Sequence, residues 1–512
     1  MSVTSQPAPA PPSRSPSALP RWWPLAALTL LAAALRLSTL GLQSFWYDEA
    51  FTPVHVLHHG LSATLRAVVH SENSPPLWYV LEWADRRLLG DGEVALRLPS
   101  ALAGIATVPV AWAIGRELAG RRAAILAAAL VAVNPLFVWY SQEARVYGLF
   151  VLMAALAMLC FLRAQRDPSR GNLAAFAVSA SLALFTHYFA VFLLLPMALW
   201  LLLAPGPARS RRREVLAALA VPAAVGVALL PLISAQGGHG TQWIGRWPLS
   251  QRLQAIPQYY LTGYTGASLG HGLELLVGLL LAAGLVVGLW RIAGEPAGAG
   301  RALLERSSLL ALVITAAGVL VPIVLVAFGA DYLAPRNLVA AMIPLTALIA
   351  VLLAAPVSGR AGPALGVALA LAFLAISIDV NLSPRLQRGN WRGVAAVLRA
   401  GPGDRAITTV ELGGAPLEYY MPGLRNLARG RSVTVSEIDE TGYAPLRASA
   451  GRAPAPGFRL LDRRNVDGLL VYRFVSSVPR TVSEAALRRH VITLAHPEVL
   501  VPAAARASEL GA

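Results

Sequence analysis

The sequence predicts a helical protein that crosses a membrane many times, followed by a small α/β domain. Two observations carry this. The chain is 56% hydrophobic and only 14% charged, whereas soluble domains carry about a quarter charged residues. Apolar stretches of about 20 residues, each long enough to span a bilayer as a helix, recur along it about eleven times. They lie near 22–43, 97–115, 122–140, 145–163, 172–187, 189–205, 214–235, 269–292, 307–329, 337–355 and 362–379. The fifth and sixth are short and meet around Thr186, His187 and Tyr188, so one broken segment is an alternative there.

The segments follow in order. Residues 1–21 are rich in Pro and Ser and read as a disordered tail. The apolar run after them is longer than a signal segment and has no small-residue cleavage site, so it reads as a retained first helix. Residues 22–379 form the expected membrane domain, interrupted by a polar loop at 44–96. From 380 to 512 the composition changes: Gly/Pro turns alternate with strand-like runs, AITTV at 406–410 and GLLVYRFV at 468–475. That alternation predicts a small α/β domain.

Loop arginines give the orientation. Alternate short loops collect Arg116, Arg121 and Arg122, then Arg163, Arg166 and Arg170, then Arg209 and Arg211 to Arg213, then Arg291, Arg301 and Arg306, then Arg360. These loops are expected in the cytoplasm together with the N-terminus. Loop 44–96 and the C-terminal domain then face outward, and the bacterial cell (inner) membrane is the expected location. The net charge of +16 comes from arginine alone, since the chain has no lysine. Loop arginine explains it, and no basic, aromatic-interleaved domain suggests nucleic-acid binding. The single cysteine, Cys160, excludes an internal disulfide and a zinc–thiolate site.

The unusual polar residues gather at the outer ends of the spans. Asp48 and Glu49 follow the first span in SFWYDEAFT, and Glu72 lies in the same loop in HSENSPPLWY. Glu143 and Arg145 stand at the turn before the fourth span in WYSQEARVY. His187 is at the next outer turn, and Asp331, Tyr332 and Arg336 are in DYLAPRN. Ionisable groups at membrane depth are costly, so a one-sided cluster suggests a functional site. Carboxylates can accept protons or hold a divalent cation; Glu72 and Glu143 are the candidates for a metal. Arg145, Arg336 and His187 suit a phosphate. An acid–base half and a phosphate half fit transfer of a group from a lipid phosphate. No nucleotide-binding loop is present.

Bland readings stand beside these. Asp48 and Glu49 could cap a helix under a belt of interfacial aromatics. Arg145 could be a snorkelling side chain, His187 a satisfied helix-end histidine, and Arg336 a helix anchor. Trp243, Trp247, Tyr259 and Tyr260 read first as interface aromatics.

WYDEAFT, SPPLWYVL, NPLFVWYSQEARVYGLF, FTHYFAVFLLLP, LAPRNLVAAMIPL and GNWRGVAAVL occur in this order. The set resembles glycosyltransferase family 39 of the GT-C fold, over roughly residues 22–420. That group includes protein O-mannosyltransferases and the aminoarabinose transferases of lipid A. The resemblance implies a polyprenyl-phosphate-linked sugar as donor and a lipid, polysaccharide or protein acceptor reaching the site from outside. Asp48 and Glu49 match the family's acid pair, with Asp48 as general base of an inverting transfer. Arg145 and Arg336 match its two arginines. The chain departs where many relatives carry Arg-Tyr and it has Arg336-Asn337. Glu72-Asn73-Ser74-Pro75-Pro76 departs from the Glu-Lys-Pro-Pro of lipid A transferases, which argues against lipid A. The alternatives are a transporter or flippase of lipid-linked substrates, which would spread polar groups through both leaflets, and a non-catalytic scaffold.

Overall fold

The computed structural model describes residues 22–239, 241–265, 271–294, 298–355, 358–401, 404–493, 496–503 and 507–509. The expected disordered tail, 1–21, lies outside them.

Helices lie over every apolar stretch that the sequence marks. α1 (Trp23–Leu37) leads to a short α2 (Tyr47–Phe51), and α3 (Leu61–Ser71) and α4 (Leu77–Leu89) follow in the polar loop. α5 (Glu93–Val133) takes up two expected spans. It turns back on itself at Ala119 and Gly120, where Gly120 adopts φ +77°, a left-handed conformation that favours glycine. The two halves pack closely: a Cβ on Gly115 would stand 2.6 Å from the carbonyl oxygen of Ala123. Asn134 then caps α6 (Pro135–Ser141), accepting from Leu136 N at 3.0 Å.

The bundle continues through α7 (Tyr147–Arg166), α8 (Arg170–Thr186), α9 (Ala190–Leu203), α10 (Pro207–Ser210) and α11 (Arg212–Gln236). The fifth and sixth stretches are therefore two helices, separated at His187–Phe189. The short α12 (Gln242–Arg246) and α13 (Leu249–Thr262) precede α14 (His271–Ala293) and α15 (Ala299–Ala327). A 3-10 segment, Pro335–Ala341, runs into α16 (Met342–Ala354), and α17 (Ala361–Leu382) completes the helical part. Among the described residues, six helical segments are long and apolar enough to cross a membrane. The apolar faces of α5, α7, α8 and α16 meet in one continuous core, while Leu30, Leu195, Val227, Leu320 and Leu371 are exposed around it. An apolar outer surface of this kind belongs against lipid, and the chain is a multi-pass membrane protein.

After α18 (Trp391–Arg399) the chain forms a mixed sheet. Its strands are β1 (Arg405–Thr409), β2 (Leu424–Asn426), β3 (Arg431–Gly442), β4 (Arg459–Val466), β5 (Leu469–Ser483), β6 (Glu498–Pro502) and β7 (Ala507–Glu509). The order is β2-β6-β1-β3-β5-β4, with β7 on β3, and β1 and β3 run parallel. α19 (Gly414–Tyr420) lies in the β1–β3 crossover, and α20 (Glu484–Arg489) follows β5. The run 406–410 lies on β1 within a residue at each end, and the run 468–475 covers the first half of β5, which continues to Ser483.

The sheet region closes over the start of the polar loop. Trp391, Val394, Leu417 and Leu469 form an apolar cluster against which Trp46 and Tyr47 pack. Ser44 Oγ donates to Gly389 O and accepts from Trp391 N, each at 2.9 Å. Tyr420 Oη accepts from Phe45 N at 2.6 Å. These bonds fix α2 from above while the bundle holds it from below.

Candidate active site

The local chain shape explains how Asp48 and Glu49 diverge. α2 is a single turn with extended Trp46 as its N-cap and both acids in its first turn, where helix N–H groups favour negative charge. It passes directly into a π-helical turn, Thr52–Val56. Successive residues on so short a helix point to different sides, so one acid enters the protein and the other faces the rim.

Each of the four acids predicted from the sequence meets an arginine from a distant part of the chain. Glu49 is fully buried. It accepts from Arg97 at both oxygens, each at 2.7 Å, and from Ala144 N at 2.9 Å. Glu72 holds Arg145 in a fork, with both contacts at 3.2 Å. Glu143 Oε2 accepts from Arg388 Nη2 at 3.1 Å. Asp48 Oδ2 accepts from Arg336 Nη1 at 2.5 Å, and both side chains are 20% exposed.

The carboxylates differ in proton affinity. Burial pushes Asp48 upward, but Arg336 and then Arg145 outweigh it and hold the acid below its usual range. Glu49 shows the same balance, with Arg97 prevailing over burial. Glu143 is different: burial raises it to about 7, and Arg388 only partly offsets this. Glu82, which the sequence reading passed over, is fully buried on α4 with both oxygens unpartnered. Burial places its proton affinity well above the ordinary range.

Arg336 borders a cavity of about 280 Å³ whose other walls include Trp243, Trp247, Tyr259 and Tyr264. Its guanidinium lies 5.0 Å from the ring centre of Trp243 and 5.8 Å from that of Tyr147. Tyr264 stacks on Trp139 with ring centres 5.3 Å apart and meets Trp46 edge-on. In the surrounding packing, Trp46 Nε1, Tyr140 Oη, Glu143 Oε1 and Arg388 Nε are buried with no hydrogen-bond partner. Buried polar groups are nearly always paired, so these four atoms are exceptions beneath the rim.

The other predicted residues have these partners. Glu72 occupies the fork of Arg145, whose Nη1 also donates to Thr52 Oγ1 at 3.1 Å and to the carbonyl of Asp48 at 3.3 Å. His187 is not a cation: burial, then Arg336 and Arg145, lowers it to about 3. It stacks on Phe150 at 4.6 Å, and its Nδ1 accepts from Phe189 N. Glu72 and Glu143, the expected metal pair, face separate arginines, Arg145 and Arg388. Among the described residues no group of three or more His, Cys, Asp or Glu could hold a metal. Asp331 belongs to a pair with Arg252, bonded at 2.6 and 2.9 Å. Trp243, Trp247 and Tyr259 line the cavity, whereas Tyr260 turns inward to Thr346 at 3.0 Å.

Sequence reading missed Arg97 and Arg388. Arg388 is 8% exposed and lies 4.1 Å from the centre of the Trp139 ring. Besides Glu143 it binds Gln43 Oε1 at 3.2 Å and approaches Glu49 at 3.7 Å. A signal was present for Arg97, an arginine inside the apolar run ALRLPSALAG. For Arg388 the only signal was its place just before the GNWRG motif.

The structure is a helical membrane bundle with a rim of acid–arginine pairs under a mixed sheet. Comparisons with known proteins agree with the resemblance to GT-C glycosyltransferases. Residues 73–233 match the family model described as dolichyl-phosphate-mannose-protein mannosyltransferase. The structure is similar to that of ArnT from Cupriavidus metallidurans bound to undecaprenyl phosphate. The TM-score is 0.52 and the identity 13%, over 89% of this chain and 98% of that one. The same protein in its apo state gives TM-score 0.53 and 12% identity, over 88% and 97% of the two chains. No curated protein sequence matches the chain. The chain therefore has the GT-C fold, and the likeness read from its motifs is shown in both its matched segment and its architecture.

Proposed function

We propose that this chain is an inverting glycosyltransferase that moves a sugar from a polyprenyl phosphate to an acceptor hydroxyl on the extracytoplasmic side of the membrane. The observation that carries this is Asp48. Its arginine, Arg336, also borders a cavity. The aromatic walls of that cavity suit a sugar ring, and Arg336 suits the phosphate joined to it.

The chemistry is a single displacement. The acceptor oxygen attacks the anomeric carbon, its proton passes to Asp48, and the bond from that carbon to the phosphate oxygen breaks. One displacement inverts the anomeric centre. The departing phosphate goes from a singly charged diester to a doubly charged monoester. Arg336 is then worth more at the transition state than in the bound donor, as catalysis requires. Arg145 acts by position, since it ties the carbonyl of Asp48 to Glu72. Glu49 holds α2 in place. Divalent-metal dependence is tested by activity in the presence of a chelator.

Purified protein is tested with a polyprenyl-phosphate-linked sugar and a hydroxyl acceptor. Release of polyprenyl phosphate is expected, and it should stop in Asp48→Asn while the protein remains folded. Translocation of the intact donor with no such release is the outcome of a flippase and would falsify the proposal.

A further inference from the structure

The pair that marks the site also blocks it. An aspartate bonded at 2.5 Å to a guanidinium is a poor base, because its lone pairs already stabilise a positive charge. An arginine bonded to a carboxylate is likewise a poor receptor for phosphate. On the proposed reading of the chain, both groups need to be free in the same step.

We propose that Asp48 and Arg336 form a latch that the donor's phosphate opens, so that the base is released only when the donor is bound. This rests on the transferase reading and adds how its site is switched on.

Three features of the structure support the exchange. The cavity offers a route to Arg336 that does not pass through Asp48, since Arg336 borders it together with Trp243 and Trp247. The guanidinium is held between the rings of Tyr147 and Trp243, so it stays in place if its carboxylate leaves. Asp48 is tethered through its backbone, by Arg145 on its carbonyl, rather than through its carboxylate. The side chain can therefore turn without moving α2. Competing acceptors for the free arginine are engaged elsewhere, Glu72 by Arg145 and Glu143 by Arg388. Each of the four acids has an arginine partner before the donor arrives. A diester anion on Arg336 then leaves Asp48 as the one acid of the set without its arginine. Losing its cation raises the proton affinity of that carboxylate, which makes it a better acceptor for the hydroxyl proton.

The test is binding, not turnover. Undecaprenyl phosphate is titrated into detergent-solubilised protein, with uncharged undecaprenol as the control lipid. A latch makes carboxylate and phosphate compete, so Asp48→Asn should bind undecaprenyl phosphate about tenfold more tightly or better, with undecaprenol unchanged. In an Arg336→Gln background the same substitution should give no gain, which separates a latch from general relief of charge repulsion. Equal or weaker binding by Asp48→Asn overturns the latch, as does a gain that survives in Arg336→Gln or extends to undecaprenol. If the unaltered protein fails to bind undecaprenyl phosphate, the transferase reading itself fails. Asp48→Ser repeats the measurement should the asparagine variant not fold.

Discussion

Asp48 and Glu49 are neighbours of like chemistry with opposite fates. Glu49 is wholly buried, gripped by Arg97 and by a backbone amide, with Arg388 behind. Asp48 keeps a fifth of its side chain exposed and has one side-chain partner, Arg336. A buried ion pair held by three hydrogen bonds is a structural joint, because breaking it strands a charge in low dielectric. A half-open pair beside a cavity can exchange partners. The lesson is that an Asp-Glu dipeptide need not be a catalytic dyad. One turn of helix is enough to divide it into a fastening and a working group.

The largest effect should follow from breaking the fastening. Glu49→Ala leaves Arg97 buried without its partner, at a cost of about 3–5 kcal/mol. Loss of monodisperse protein on size exclusion, or a collapsed thermal transition, is the expected result. If Glu49→Ala stays stable and loses only activity, the division between the two acids is wrong.

Next comes Asp48→Asn, which should keep the fold and lose about 10²–10⁴ in turnover, the usual contribution of a general base. Matched thermal transitions, measured alongside donor turnover, check both halves of that statement.

A third prediction concerns Glu143. A free glutamate gives up its proton near 4.5, whereas Glu143 keeps its own to about 7 in the folded protein. Between those values the folded state binds the extra proton, so stability falls as pH rises. The decline should be on the order of 3 kcal/mol. Glu143→Gln should remove most of that slope in thermal unfolding recorded from pH 4.5 to 8. A slope that persists in the variant would show that another group causes it. Glu82, also raised, is the first to examine.

The smallest effect belongs to Trp243→Ala. Removing the ring 5.0 Å from Arg336 should cost about 0.5–2 kcal/mol in donor binding, seen as a several-fold rise in KM with kcat nearly kept. A fall in kcat with KM unchanged would move Trp243 from holding the donor to shaping the transition state.

Much of the fold was legible because its causes are local. Apolar runs of span length became helices, and alternating runs near 406 and 468 became strands. The site was legible as a collection and illegible as an arrangement. Asp48 and Arg336 are 288 positions apart, Glu143 and Arg388 are 245 apart, and Glu49 and Arg97 are 48 apart. No periodicity encodes such matches, which are set by how α5, the 3-10 segment and the chain after α17 converge on α2. The sequence divides the rim into an acidic half and a basic half. Folding interleaves the two, and this pairs Arg145 with Glu72. His187 shows the same limit from another side: its charge depends on burial and nearby arginines, neither visible at its own position.

Arg388 lies six positions beyond the end of the last apolar helix, where hydropathy places the border of the membrane part. Its guanidinium nonetheless reaches Gln43, Glu49 and Glu143. A fragment ending at residue 382 would look like a complete bundle on paper and would lack the arginine that pairs Glu143. Shortening or swapping this protein at that border would cut through the site, and a junction just after α19 would keep the tyrosines that clasp Phe45 and Asp91 but still remove Leu469 from the cluster on which Trp46 and Tyr47 pack.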